Sequence, residues 1–256
     1  MYKVTAFVGS ARKKHTYNAV VQFLDHLQSM GEVECEVVRL SDYRLTPCIG
    51  CKACMDRGEE RCPLQDDRDA LIAKMMASDG VVFASPNYAF QVSGLTKTLL
   101  DRLAFLLHRP RFFGKTCTSI VAQGIYGGNK IVDYLDFVGS GLGFDAVKGC
   151  CIKTLEPMTD KQQRKTDQAL AGLARRYWAR LEKPGYPAPT LLKLMLFRLS
   201  RTSMRLELDE RARDYRYYAE QGWFVSDYYY PARLGPLSKG AGMLCDWAAA
   251  RMAKAR

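Results

Sequence analysis

No run of about 18 uncharged apolar residues occurs in the chain, which excludes a conventional membrane-spanning helix. The N-terminus lacks the basic segment, apolar stretch and small-residue cleavage site of a secretion signal. Lys3-Val4-Thr5-Ala6-Phe7-Val8 reads as a first strand instead, and the expected compartment is the cytoplasm. No internal repeat or low-complexity tract is visible, which excludes a solenoid array. What is present is an ordinary globular composition, 48% apolar and 25% charged. Its 256 residues suffice for one sizeable core with an extension.

Charge is unevenly placed within a net +11. Residues 1–160 carry 19 Lys and Arg against 18 Asp and Glu, whereas residues 161–256 carry 19 against 9. A near-neutral body with a basic tail does not read as a nucleic-acid binder, whose basic surface belongs to its folded reading module. The tail reads first as solvated surface; a membrane-surface contact or an acidic partner is the less favoured reading.

Strand and helix signals alternate over the first 180 or so residues. Strands are expected at 3–9, 33–40, 79–84, 115–123 and 144–153. Helices are expected at 16–30, 67–77, 95–107, 129–138 and 161–181, each with an apolar stripe. This interleaving predicts an α/β fold, a parallel sheet covered by helices on both faces, which binds ligands at the carboxyl ends of its strands.

Three strand-end loops therefore matter most. Gly9–Asn18 brings hydroxyls, amides and cations to a helix N-terminus, where orphan amides favour an anion such as phosphate. That loop has neither the dinucleotide fingerprint nor a Gly-Lys-Ser/Thr closure, and a plain helix start capped by Thr16 is the alternative. Ser85–Gly94 offers Asn87, Tyr88 and Ser93 behind a stiffening Pro86, with room for a planar ring, although taken alone it reads first as a plain loop with a Ser93 cap. Gly124-Ile125-Tyr126-Gly127-Gly128 permits close backbone approach to a ligand, or merely a tight turn.

Four of nine cysteines, Cys48, Cys51, Cys54 and Cys62, crowd into fifteen positions. In a chain without a secretion signal this points to metal binding or redox chemistry rather than a disulfide framework. Four soft ligands suit a [4Fe–4S] cluster or Zn²⁺, and uncoordinated thiols are the third reading; ligand type does not choose among them. Cys35, Cys117, Cys150, Cys151 and Cys245 sit in apolar runs and read as buried structural thiols.

Ser10-x-Arg12 after strand one, Ser85-Pro86-Asn87-Tyr88 after strand three and Lys97…Asp101-Arg102 in the next helix together resemble the NAD(P)H-dependent FMN reductase family. The resemblance implies a flavodoxin-like, five-stranded parallel sheet that binds FMN, with NAD(P)H as electron donor. FMN phosphate is then expected on Ser10, Arg12, Thr16, Tyr17 and Asn18. Its ring is expected against Pro86, Asn87, Tyr88, Ala89 and Ser93, and against Gly124, Gly127 and Gly128. His15-Thr16-Tyr17 departs from the Gly-Asn-Thr/Ser-like turn of many members. The cysteine pattern resembles that of iron–sulfur flavoproteins, a branch of the same superfamily. Within that resemblance Cys48, Cys51, Cys54 and Cys62 are the metal ligands, and the sharper expectation is a [4Fe–4S] cluster beside the flavin.

The implied function is an FMN-dependent oxidoreductase that takes hydride from NAD(P)H and passes electrons to flavin, quinone or an iron–sulfur centre. No side chain is expected as general acid or base, because the flavin carries the chemistry. An electron-transfer protein without turnover is the alternative. Residues 1–183 are expected as the FMN-binding domain and residues 184–256 as an extension, joined by a linker at Pro184, Pro187 and Pro189. In the extension Leu191–Leu206 is apolar over most of a helix, with Arg198, Arg201 and Arg205 on one side; burial against a second subunit of a homodimer is the favoured reading. A tyrosine-rich run at 215–230 is expected to pack, and 243–254 to close the chain as a helix.

Overall fold

A computed structural model describes residues 1–183 and 185–254. Pro184, and Ala255 and Arg256 at the end of the expected extension, lie outside the described residues. The chain divides into two compact units: Met1–Ile49 with Leu64–Pro184, and Gly50–Pro63 with Gly185–Arg256.

The first unit is built on β1 (Tyr2–Val8), β2 (Val33–Arg39), β3 (Gly80–Tyr88), β4 (Gln91–Val92), β5 (Thr116–Gln123), β6 (Asp145–Ala146) and β7 (Cys150–Lys153). Its helices are α1 (His15–Gln28), α3 (Arg68–Met76), α4 (Gly94–Arg102), α5 (Phe105–His108), α6 (Gly128–Gly141) and α7 (Asp160–Leu181); α2 (Ala53–Asp56) belongs to the second unit. Strand order runs β2-β1-β3-β5, then β6 and β7 both beside β5, all parallel; β4 alone is antiparallel, on β3. This is the expected parallel α/β sheet.

Strand alternation sends side chains to two cores. Val4, Ala6 and Val8 of β1, Val82 and Ala84 of β3 and Ile120 and Ala122 of β5 meet Val20, Phe23 and Leu27 of α1 and Leu170, Leu173 and Tyr177 of α7. The opposite face carries Phe7, Phe83 and Cys117; there a Cβ on Gly139 of α6 would stand 2.6 Å from Cys117 Sγ, so glycine lets that helix sit close.

In the first unit three expected elements differ, and in the second the closing helix begins at Pro236, seven residues before the expected 243. The third strand runs on through Pro86 to Tyr88, because Ser85 and Pro86 still pair with Val121 and Ala122. The helix expected at 95–107 is two, α4 and α5: the Leu103 amide is shared between the Leu99 and Leu100 carbonyls, while Leu103, Phe105 and Leu106 keep the apolar stripe unbroken. The fifth strand is split, because the Gly149 amide leaves the ladder to bond Asp136 Oδ2 at 3.1 Å and a Cβ there would overlap Ser119.

In the second unit, α8 (Leu191–Glu207) and α10 (Pro236–Lys254) pack together, with α9 (Arg213–Glu220) falling inside the tyrosine-rich run. Trp223 is the hub of that run: Tyr218 and Tyr229 stand 4.9 and 4.7 Å from it, and its Nε1 donates to the Tyr229 carbonyl at 3.0 Å. Of the expected basic stripe on α8, Arg198 and Arg201 turn inward: Arg198 bonds Asp227 at 2.7 Å, and Arg201 and Thr202 bond Asp246 at 2.8 Å each. Leu192 and Leu196 are exposed instead.

Among the described residues no helix is long and apolar enough to cross a membrane.

Candidate functional site

The expected cofactor residues lie at the carboxyl ends of β1, β3 and β5, where the parallel pairing brings three loops to one edge. Gly9 ends β1, its amide bonded to the Ala84 carbonyl at 2.8 Å. Ser93 Oγ donates to the Gly9 carbonyl at 2.6 Å and accepts from the Thr96 amide as the cap of α4. Ser85 Oγ accepts from the Ser93 amide at 2.9 Å. A Cβ on Gly9 would overlap Thr96 Oγ1, so only glycine passes here. Ser93 is thus spent on holding the first two loops together.

α1 opens at His15 with Lys14 as its cap, one residue before the expected Thr16. Lys14 makes no side-chain capping bond and the first turn holds no acid. Uncapped amides beside exposed Arg12, Lys13 and Lys14 have the chemistry of an anion site. Ser10 Oγ donates to the Arg12 carbonyl at 3.1 Å and shapes the loop, and the Lys13 ammonium lies 5.6 Å from the Tyr17 ring centre. Thr16 is buried, whereas Asn18 lines a cavity of about 640 Å³ with His15, Gln22, Thr154, Glu156 and Gln163. Thr16 and Asn18 therefore serve different sides of α1. His15 Nε2 reaches Glu156 at 3.0 Å, joining α1 to the segment after β7, a fourth strand-end loop that sequence reasoning passed over.

β3 and β4 form a two-residue hairpin whose central residues, Ala89 and Phe90, have φ of 49° and 63°. Turns of this hand favour glycine or asparagine, so two ordinary side chains held there store strain. Phe90, at the tip of this turn, is 61% exposed, with its ring centre 5.1 Å from that of Tyr126, itself 65% exposed. Asn87 Nδ2 donates to the Tyr126 carbonyl at 3.0 Å. Gly127, at φ 92°, leaves room where a Cβ would stand 3.0 Å from Phe90, and the Gly128 amide is held by Gln123 Oε1 at 2.7 Å. Pro86 is buried within β3, Tyr88 is exposed, and Gly124 stands open beside Leu155. Exposed Phe90 and Tyr126 thus make an aromatic ledge at the carboxyl ends of β3 and β5, the same sheet edge as the uncapped start of α1, and Tyr88 is exposed beside the turn. Phe90 and Tyr126 were missing from the residues singled out by sequence; an aromatic in a strand-end turn was the available signal.

FMN fits this edge: the uncapped α1 turn suits its phosphate and the ledge suits its ring. The four cysteines do not form a ready metal site. Cys48 and Cys51 are exposed, Cys54 and Cys62 half-buried, and among the described residues no three His, Cys, Asp or Glu side chains gather as ligands. The ends of their loop are nonetheless fixed within the first unit. Asp66 accepts from the Thr46 amide at 2.9 Å and pairs with buried Arg102 at 2.9 Å, which accounts for the Arg102 of the sequence motif. Burial pushes the Asp66 carboxyl up, but bonds from the Thr46 amide, Arg102 and the Arg68 amide hold it below the usual carboxylate range.

Known proteins resemble this chain in sequence and in fold. A relative in Methanocaldococcus jannaschii, named an iron–sulfur flavoprotein, is 37% identical over 102 residues, 39% of this chain; the match spans about half of the relative, 51%. Another so named, from Archaeoglobus fulgidus, is 32% identical over 161 residues, 57% of this chain and 70% of its own. The solved structure of RosB with bound 8-demethyl-8-formylriboflavin-5′-phosphate shares the fold at a TM-score of 0.57 and 12% identity, over 92% of both chains. Residues 2–151 match the family model described as NADPH-dependent FMN reductase. Because that match spans more than half of its length, this chain belongs to the NADPH-dependent FMN reductase family.

Proposed function

We propose that this chain binds FMN at the carboxyl edge of its sheet, takes hydride from NAD(P)H and passes the electrons to a small-molecule or protein acceptor. The observation that carries the reading is the Asn87–Tyr126 bond with the Phe90–Tyr126 contact, which groups two exposed aromatic rings at the sheet edge that holds the uncapped start of α1. When bound, FMN supplies acceptance of a hydride and release of electrons singly or in pairs. The chain's part is positional. Ser10, Arg12, Tyr17 and Asn18 with the α1 amides hold the phosphate, and buried Thr16 supports that turn. Pro86, Asn87, Tyr88 and Ala89 with Gly124, Gly127 and Gly128 border the ring, and Ser93 fixes the loops that carry them. No side chain at this edge is assigned a proton-transfer role.

Residues 1–183 are the proposed FMN-binding domain and residues 184–256 an extension, in a cytoplasmic protein that pairs as a homodimer. A second reading, supported by the names of the relatives and by the cysteine spacing, is that Cys48, Cys51, Cys54 and Cys62 take up an iron–sulfur centre.

Titration with FMN tests the first reading, with flavin absorbance, fluorescence quenching and NAD(P)H consumption as readouts. Tight uptake of FMN with brisk NAD(P)H oxidation is expected. Uptake without oxidation would leave an electron carrier, and failure to take up FMN would end the proposal. The anaerobic visible spectrum tests the second: flavin bands alone exclude the cluster, and a broad reducible shoulder at longer wavelength supports it.

A further inference from the structure

The terminal helix α10 is inverted relative to an ordinary amphipathic helix. Its polar residue Asp246 faces inward to Arg198, Arg201 and Thr202 of α8, and the small residues Gly242, Cys245 and Ala249 are buried on the same side. Gly242 lets the helices close up, since a Cβ there would stand 3.3 Å from Arg198 Nε. The outward side carries Leu237, Met243, Leu244 and Trp247, the last two 64% and 56% exposed. Leu237, Leu244 and Trp247 fall seven and three residues apart on one side of the helix, with Gly240 between them and Arg251 at the C-terminal end of the stripe.

The charges on α10 select what covers that stripe. Asp246 is its one carboxylate and is turned inward. Lys239 and Arg251 are exposed, and the Arg251 guanidinium lies 4.8 Å over the Trp247 ring. An apolar stripe with an interfacial tryptophan and flanking cations matches the boundary of an anionic bilayer, with leucine and indole among acyl chains and guanidinium among phosphates. A second copy would set cation against cation on the same stripe. Nucleic acid would leave the leucines unburied.

We propose that the outward face of α10 docks on an anionic lipid surface, without inserting across it. Flotation of the full-length, FMN-loaded protein with phosphatidylcholine vesicles, with and without phosphatidylglycerol, tests this. Binding to the anionic vesicles is expected at about 0.1 M salt, weakening as salt rises, with neutral vesicles bound at least about tenfold more weakly. Leu244→Glu with Trp247→Glu should cut the binding about tenfold or more, whereas Trp247→Phe should retain it. Should the double variant fail to fold, as judged by circular dichroism, Lys239→Glu with Arg251→Glu leaves the apolar stripe intact and should abolish the preference for anionic vesicles. Absence of flotation overturns the proposal, as does binding indifferent to lipid charge or to these substitutions. A dimer that Leu244→Glu dissociates, in a protein that ignores vesicles, also overturns it and assigns the stripe to a second copy. FMN uptake is read separately, so failure here leaves the flavin reading untouched.

Discussion

Ser93 Oγ donates to the carbonyl of Gly9, 84 residues away in sequence, at 2.6 Å, and the same oxygen caps α4 by accepting from the Thr96 amide. One hydroxyl therefore fixes both the exit of β1 and the start of α4, from fully buried positions. Replacing Ser93 with Ala removes the cap and leaves a buried carbonyl short of a donor. A loss of about 1–3 kcal/mol in unfolding free energy is expected by denaturant titration, with weaker FMN binding. Unchanged stability would remove Ser93 from the scaffold.

Phe90 and Tyr126 are exposed, so truncating either costs the fold little. Phe90→Ala or Tyr126→Ala should leave the unfolding free energy within about 0.5 kcal/mol of the parent. Loss of an aromatic contact of about 1 kcal/mol should weaken FMN binding roughly fivefold. Denaturant titration reads the stability and isothermal titration the affinity, and parental affinity in both variants would remove the ledge from the ring site.

The Asp66–Arg102 pair makes stability depend on pH in a defined direction. The folded Asp66 carboxyl titrates below its unfolded value, so its contribution is complete at neutral pH and is lost as pH falls through the usual carboxylate range toward the lower folded value. Asp66→Asn should flatten that part of the stability profile in urea melts taken between about pH 6 and pH 3. Arg102→Met should cost about 1–3 kcal/mol, because Asp66 loses its charged partner and keeps only the Thr46 and Arg68 amides. An acid limb that persists in Asp66→Asn would contradict the assignment.

Thiol labelling separates the cysteines. Burial pushes Cys35 and Cys151 up to about 11 and Cys150 up to about 12, so these thiols stay protonated at pH 8. Cys48 and Cys51 are exposed and should alkylate first, as peptide mass spectrometry will show. Reconstitution with iron and sulfide should shield Cys48, Cys51, Cys54 and Cys62 together if a cluster forms; equal labelling before and after would exclude it.

The parallel α/β order was legible in the sequence because each buried strand reads as a β-branched run and each helix as a 3.6-residue stripe, both of them local signals. Gly9–Asn18, Asn87 and Gly127 were legible as site candidates because such sheets place their ligands at strand ends. Other features needed the fold. Pro86 resembled a strand end, yet it stays paired, because proline lacks only the donor and its carbonyl can still take part in the ladder. The helix at 95–107 broke at Leu103 without breaking its apolar stripe, so periodicity had nothing to report. Arg198 and Arg201 resembled an exposed basic stripe until Asp227 and Asp246 were brought to them across 29 and 45 residues. Local pattern therefore determined which elements form and which strand ends could carry a ligand. Only tertiary structure decided which charges are paired and which leucines face water, because burial and pairing depend on neighbours distant in the chain.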